Sequence, residues 1–259
     1  MSNNNHRIYI SPCPNDTFIF YAMLHKKVDC EGLSFEACFE DISMLNERAA
    51  SGEVVDLIKV SHGTLPLLAG KYRALSVGGA MGYGNGPVVV ARSRDVDLSD
   101  CTIAVPGLNT TANLLLNRLI PHNRDRVREY LFSDIARAVS RGEVDAGVLI
   151  HEGRFTYRQA GLELLHDLGE LWEERFQLPV PLGLIVANPL VDSAKVERII
   201  SRSIAYAFDH RAQTESFCAL HAAELSPEVL ANHIDLFVNE FSLGHNPLGA
   251  RAVRELLGV

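Results

Sequence analysis

Short apolar segments alternate with helical segments along most of this chain, and the alternation limits the possible folds more than any other feature. Two of these segments, PVVVAR at 87–92 and VDAGVLI at 144–150, are apolar almost throughout, as strands covered on both faces are. Segments with helical periodicity lie between the predicted strands, for example at 16–26 and 110–120. This order predicts an α/β protein with mostly parallel sheets.

The chain is predicted to divide into two lobes with a ligand cleft between them. The polar segment SRDVDLSD at 93–100 separates two blocks, each beginning with a strand, a proline-bearing turn and an apolar helix. The segment LPVPLGLIVANP at 178–189 is interpreted as the return crossing, stiffened by its prolines. We therefore assign residues 1–92 and 185–259 to lobe one and residues 93–184 to lobe two. Beyond the return crossing only helices are predicted, and they are expected to pack on lobe one. Their predicted ranges are 192–211, 213–223, 227–240 and 247–257.

Charge and composition exclude several classes of protein. The chain has 24 Lys and Arg against 32 Asp and Glu, a net charge of −8, which argues against nucleic acids and anionic membranes as partners. No apolar stretch approaches the ~18 residues that a membrane span needs. The five cysteines form no CxxC pair, so reduced thiols are expected, and the N-terminal sequence has no basic segment leading into an apolar one. We therefore expect a cytoplasmic protein without a structural zinc site.

Polar residues at the carboxyl ends of the predicted strands are the candidate ligand-binding residues, because open α/β sheets bind ligands there. Thr110 and Thr111 follow the strand at 101–105 and begin a helix. Their N–H groups and hydroxyls are therefore a candidate anion site. The alternative is that Asn109 or Thr110 only caps the helix.

Lys59 and Ser61 are further candidates at the end of the strand at 55–60. Lys59 interrupts an apolar strand, so it must either find a counter-charge or reach the cleft, and both alternatives stay open. Ser61 lies on the same face of the strand as Lys59 and is a candidate hydroxyl donor. The adjacent His62 points to the opposite face, so it cannot act as a base for Ser61. The glycine-rich segment 78–86 is not followed by a helix, so it is not a dinucleotide fingerprint. It is interpreted either as a cleft-lining loop or as a mobile turn.

His151 directly follows the strand at 144–150 and is the candidate general base, because an imidazole with a pKa near neutrality can accept a proton. The alternative is a structural histidine that is hydrogen-bonded at a strand terminus. The segment HEGRF carries Phe155 where a HExxH motif has its second histidine, so a zinc protease is not expected.

Four segments between residues 11 and 157 together resemble one known family. They are SPCPNDTFIFYAML, DLIKVSHGTLP, IAVPGLNTTANLLL and VDAGVLIHEGRFTY. In this order they are similar to the 1,4-dihydroxy-6-naphthoate synthases of the futalosine route to menaquinone, and the overall length agrees.

The resemblance implies a fold of the type II periplasmic binding protein kind, used by an enzyme. It implies a lyase without a cofactor that converts cyclic dehypoxanthine futalosine to 1,4-dihydroxy-6-naphthoate and dihydroxyacetone. His151 is implied as the proton acceptor, and the residues implied to contact this small anionic substrate are Lys59, Val60, Ser61, Thr110 and Thr111. Two alternatives stay open: the related chorismate dehydratase of the same route, and a non-catalytic solute-binding protein. The oligomeric state is left undetermined.

Overall fold

The computed structural model describes residues 4–222 and 225–259, and within them strands and helices alternate as the sequence predicts. The strands are β1 (Asn5–Ile10), β2 (Ser34–Phe39), β3 (Leu57–Ser61), β4 (Arg73–Ala74), β5 (Ala80–Gly82), β6 (Val88–Ala91), β7 (Ile103–Val105), β8 (Val127–Glu129), β9 (Ala146–Leu149), β10 (Glu163–Asp167) and β11 (Val180–Ala187). The helices are α1 (Pro14–Leu24), α2 (Ile42–Ser51), α3 (Thr111–Leu119), α4 (Phe132–Arg141), α5 (Gly153–Thr156), α6 (Leu168–Phe176), α7 (Ser193–Asp209), α8 (Arg211–His221), α9 (Pro227–Phe237) and α10 (Pro247–Leu257). The helix predicted over 213–223 reaches residue 223, which lies outside the described residues.

The strands form two separate sheets. The first sheet has the order β2-β1-β3-β11-β4, and β5 also pairs with β11; the second has the order β10-β6-β9-β7-β8. The α/β class is confirmed, and both sheets are mixed. The pairs β1–β2, β1–β3, β7–β8 and β7–β9 are parallel, as predicted. The expectation of mostly parallel sheets needs correction at β6 and β11, because these two strands carry the chain between the sheets and run antiparallel to their neighbours.

The sheet pairing differs from the predicted lobe boundaries at two strands. Strand β6 lies in the second sheet although the prediction assigned residues 1–92 to lobe one. Strand β11 lies in the first sheet although most of it falls in the predicted lobe two, 93–184. The polar segment at 93–100 is a surface loop that follows β6, so the change in composition there marks a loop and not a crossing. The division into two lobes itself stays a prediction.

Within the described residues, four apolar cores lie against the sheets, and two of them contain residues of the C-terminal helices. Helix α1 is buried almost throughout, because β2 lies on one side of it and α7, α8 and α9 cover the others. The last helix behaves differently, since Ala252 and Leu256 of α10 belong to the core that contains Trp172 and the second sheet. Helix α10 also contacts β11 of the first sheet and the 3₁₀-helix at 62–68, so its small apolar stripe, spaced at i and i+4, touches elements on both sides, and the expectation that it packs on lobe one stays a prediction.

Among the described helices, none combines the length and the apolar character that crossing a bilayer would require.

Candidate active site

A cleft lies between the two sheets and is lined by residues from both. Five of the residues singled out in the sequence line it: Lys59, Ser61, Thr110, Thr111 and His151. They come from the ends of β3, β7 and β9, which places them where strand-end residues of an open α/β sheet are expected. The glycine-rich segment 78–86 also contributes to the wall through Ala80, Asn85 and Gly86, which fits its interpretation as a cleft-lining loop.

The N-terminus of α3 faces this cleft, but the two threonine hydroxyls there are already engaged. Thr110 is the N-cap: its Oγ1 accepts from the backbone N–H of Asn113 at 3.3 Å and donates to the carbonyl of Gly107 at 2.6 Å. Thr111 Oγ1 donates to the carbonyl of Leu182 at 2.8 Å. The capping alternative is therefore right about the hydroxyl of Thr110. What this end of the helix offers a ligand is its unpaired N–H groups and about half a positive charge.

Gly63 holds the N-terminus of α3 close to the end of β3. A Cβ at this position would lie 2.8 Å from the backbone carbon and oxygen of Thr110 and 3.0 Å from the nitrogen of Thr111. The Gly63 N–H also donates to Thr111 Oγ1 at 3.2 Å. Because residue 63 has no side chain, the N-terminus of α3, which follows the second sheet, can lie close to the end of β3 in the first sheet.

Gly63→Ala should lower the free energy of unfolding by about 1–3 kcal/mol, because the helix start must move to accommodate a methyl group. Urea unfolding measures the effect. Leu67→Ala is a suitable control, since Leu67 is exposed on the same 3₁₀-helix, His62–Leu68, and should change stability by no more than about 0.5 kcal/mol. Equal stability of Gly63→Ala and the parent chain would contradict the close approach.

Ser61 is held by a residue that the sequence analysis did not single out. Asn46 of α2 accepts from the Ser61 backbone N–H at 2.8 Å and donates to Ser61 Oγ at 3.0 Å. Because Ser61 Oγ accepts this bond, its own proton is free to be donated elsewhere. Ser61 is therefore arranged as a hydroxyl donor at the wall of the cleft, as predicted from its position.

Both alternatives raised for Lys59 hold at once, because it pairs with a counter-charge and also lines the cleft. Its Nζ lies 2.6 Å from Asp16 Oδ1, and both side chains are almost fully buried. The same carboxylate accepts from the N–H and hydroxyl of Ser11 at 3.2 and 2.7 Å and from Asn15 Nδ2 at 2.9 Å. Lys59 compensates the charge of Asp16, so this carboxylate does not make the wall of the cleft negative.

Val60 does not line the cleft. Its side chain is fully buried in a core with Ile58 and Leu45, on the face of β3 opposite to Lys59 and Ser61. Alternation along a strand explains this, because successive side chains point to opposite faces. A contact between Val60 and the substrate, which the resemblance implies, would have to involve the backbone of Val60, and it stays a prediction.

His151 stands at the end of β9 in a left-handed backbone conformation, with φ of +53°. Residues that are not glycine adopt this conformation rarely, and such positions cluster at functional sites. The imidazole Nδ1 lies 3.5 Å from Cys13 Sγ, and the ring makes an edge contact with Phe132 at 5.2 Å between centroids. Burial lowers the pKa of His151, against the opposing charges of Glu152, Asp41 and Asp16. The ring is therefore neutral at pH 7 and can accept a proton.

Cys13 contacts this histidine but is not itself reactive. Burial raises the pKa of the Cys13 thiol, with the Asp16 charge acting in the same direction. It stays protonated at neutral pH, and a thiol in this state is a poor nucleophile. Cys13 contributes packing and a weak contact to the His151 ring.

The sequence analysis did not single out a second histidine beside the cleft. His233 of α9 is fully buried, its ring is stacked near His151 with 6.3 Å between centroids, and its Nε2 lies 3.0 Å from Asn15 Oδ1. Nothing in the local sequence marks it, because it lies on a C-terminal helix far from any strand end. Only the packing of α9 against α1 brings it to the site.

Within the described ranges, no three His, Cys, Asp or Glu side chains are grouped so that they could hold a metal ion.

Comparison with known proteins identifies the family. The model of a family described as "Menaquinone biosynthesis" matches residues 6–259. The chain belongs to this family. A curated 1,4-dihydroxy-6-naphthoate synthase of Thermus thermophilus is 42% identical over 253 residues, covering 96% of this chain and 92% of the relative. A second, from Streptomyces coelicolor, is 39% identical over 264 residues, covering 99% of this chain and 93% of the relative. The family predicted from the four sequence segments is confirmed.

Solved structures confirm the predicted fold. A protein from Archaeoglobus fulgidus superposes with a TM-score of 0.92 at 35% identity, covering 100% of this chain and 97% of that one. The periplasmic aliphatic sulphonate binding protein of Escherichia coli superposes with a TM-score of 0.66 at 13% identity, covering 99% and 86%. At that identity the second match shows the fold alone, which is the periplasmic binding protein fold.

Proposed function

We propose that this member of the menaquinone biosynthesis family is a carbon–carbon lyase that converts cyclic dehypoxanthine futalosine to 1,4-dihydroxy-6-naphthoate and dihydroxyacetone. The family match and the two curated synthases support the assignment. The observation that carries it is that a neutral imidazole, His151, and the N-terminus of α3 line one cleft. All five cysteines are free thiols, in keeping with a cytoplasmic enzyme.

The proposed site binds the substrate carboxylate at the N–H groups of Thr111 and Ala112. Both residues line the cleft at the first turn of α3, where N–H groups lack partners within the helix and the helix dipole favours an anion. Ser61 donates its hydroxyl proton to a second substrate oxygen. The ion pair of Lys59 and Asp16 forms the floor between these donors, with no net charge of its own.

In the proposed reaction His151 accepts a proton from the substrate, and the electron pair left behind forms a new π bond as the carbon–carbon bond to the dihydroxyacetone fragment breaks. The electron pair of the broken bond goes to one of the two fragments, and the proton held by His151 is returned to that fragment. The lowered pKa of His151 keeps the ring in the proton-accepting form at neutral pH. Formation of the aromatic product supplies the thermodynamic drive. Closure of the cleft around the substrate excludes water and aligns the base with the bond that breaks.

A paired assay tests the proposal against the alternatives. The purified chain is incubated separately with cyclic dehypoxanthine futalosine and with chorismate, and products are followed by liquid chromatography with mass detection. We expect 1,4-dihydroxy-6-naphthoate and dihydroxyacetone in equal amounts from the first compound and no turnover of chorismate. Turnover of chorismate alone would identify a chorismate dehydratase instead. Binding of either compound without turnover would indicate a solute-binding protein.

A further inference from the structure

The contact between His233 and Asn15 fixes the proton of a buried histidine. His233 Nε2 lies 3.0 Å from Asn15 Oδ1, and an amide oxygen can only accept a hydrogen bond. The hydrogen of the neutral ring must therefore be on Nε2. Nδ1 of His233 is buried and has no partner among the described residues, which agrees with an unprotonated nitrogen there.

The same geometry fixes the orientation of Asn15. Its Nδ2 donates to Asp16 Oδ1 at 2.9 Å, and a carboxylate can only accept. One end of the amide is therefore held by a donor from α9 and the other by an acceptor from α1. The amide nitrogen carries two hydrogens, and the bond to Asp16 uses one. Because Asn15 lines the cleft, the second is left for a ligand.

We infer that His233 is a positioning residue, which holds the oxygen of Asn15 so that the second amide N–H of Asn15 is presented to an oxygen atom of the substrate. This inference rests on the proposed function. It adds a third donor to the site, beside Ser61 and the N-terminus of α3, and it explains why a C-terminal helix contributes a buried polar side chain to the neighbourhood of the cleft.

The surroundings of His233 suit this role. Burial, together with the nearby His151, lowers the pKa of His233 to about 3. The ring is therefore uncharged at neutral pH and adds no cation next to the proposed base. Phe237 stacks on it at 4.4 Å between ring centroids, one turn further along α9, and limits its rotation.

Two substitutions separate the hydrogen bond from the bulk of the side chain. His233→Gln places an amide nitrogen near the position of Nε2 and keeps a donor, whereas His233→Leu fills much of the same space without one. We expect His233→Leu to lower kcat/KM by about tenfold, mainly through KM, which is the size of one lost hydrogen bond. We expect His233→Gln to recover all but about threefold of the parent value.

A double substitution tests whether His233 acts through Asn15. If it does, His233→Leu should cost no more than about twofold in a chain that already carries Asn15→Leu, because coupled residues do not add. Ile234→Ala is the matched control on α9: Ile234 is fully buried in the apolar core, so the melting temperature should fall while kcat/KM stays within about twofold. The inference would be overturned if the losses of kcat/KM in His233→Leu and Asn15→Leu multiplied in the double variant. It would also be overturned if His233→Leu and His233→Gln lost kcat/KM equally.

A measurement without turnover keeps the inference separate from the proposed function. With ¹⁵N-labelled histidine, NMR at pH 7 should show His233 as a neutral ring with hydrogen on Nε2. A ring protonated on Nδ1, or on both nitrogens, would overturn the inference even if the enzyme is active. An Nε2–H ring in a chain that does not turn over cyclic dehypoxanthine futalosine would remove the proposed function, and with it the donation to that substrate.

Discussion

His151→Ala should lower kcat on cyclic dehypoxanthine futalosine by about 10²–10⁴-fold, because general base catalysis by a positioned side chain contributes that much. The variant should fold, since the ring is only half-buried at the cleft and anchors no apolar core. Binding of the product should persist, because the donors of α3, Ser61 and Asn15 are untouched. Steady-state kinetics and isothermal titration with 1,4-dihydroxy-6-naphthoate measure the two effects separately.

His166→Ala is the control for this substitution, because His166 lies in β10 of the same sheet as β9 but does not line the cleft. Its kcat should stay within about twofold of the parent value. If His151→Ala retained kcat within about tenfold of the parent chain, the base role would have to be abandoned.

The pH dependence of kcat/KM follows from the same residue. Burial lowers the pKa of His151, so the neutral, proton-accepting form persists to lower pH than in a free histidine. Activity is lost as the pH falls through the pKa of His151 in the folded protein. The acid limb of the kcat/KM profile should therefore lie below pH ~6.5. An acid limb above that value would contradict the environment described for the ring.

Asp16→Leu should lower the free energy of unfolding by about 3–5 kcal/mol, the second large effect that we expect. It leaves the ammonium of Lys59 buried, and among residues 4–222 and 225–259 only the carbonyl of Gly78, at 3.4 Å, is left as a hydrogen-bond partner. The hydroxyl of Ser11 and the amide of Asn15 also lose their acceptor. In a chain of this size the melting temperature should fall by on the order of 10 °C.

The double variant Asp16→Leu, Lys59→Met separates two contributions to the loss of stability: the unpaired buried charge of Lys59 and the lost packing around residue 16. Replacement of both charges by apolar groups should recover much of the stability, because no ion is then left in the protein interior. Urea unfolding of the two variants and the parent chain gives the comparison. A single variant within about 1 kcal/mol of the parent would mean that Lys59 finds another counter-charge or reaches water.

The elements of the fold could be predicted from local patterns, whereas the sheet crossings could not. Apolar runs such as those of β6 and β9 and the cap of α3 at Thr110 are local signals, and they predicted the elements correctly. The sheet to which β6 belongs depends on long-range pairing, and a polar loop after it resembled a boundary. The burial of α10 against the second core likewise depends on tertiary contacts that its own amphipathic pattern does not reveal.

Site residues at the ends of strands could be predicted from the sequence, whereas site residues on helices could not. Lys59, Ser61 and His151 are found by their position at the ends of β3 and β9. Asn46 and His233 lie on helices whose sequences contain no motif that marks a site. Only the contact of Asn46 with Ser61 and that of His233 with Asn15 show that they belong to the site. The side chains of Thr110 and Thr111 show a further limit of sequence-based prediction. The sequence indicates that their hydroxyls lie at the start of a helix, but it does not show which groups these hydroxyls bond.

A crystal structure of the His151→Ala variant with cyclic dehypoxanthine futalosine bound tests most directly whether base and anion site serve one substrate. We expect the carboxylate within hydrogen-bond distance of the N–H groups of Thr111 and Ala112, with the group that loses its proton facing residue 151. A carboxylate bound elsewhere, or a proton-donating group of the substrate turned away from residue 151, would contradict the proposal that these groups act together.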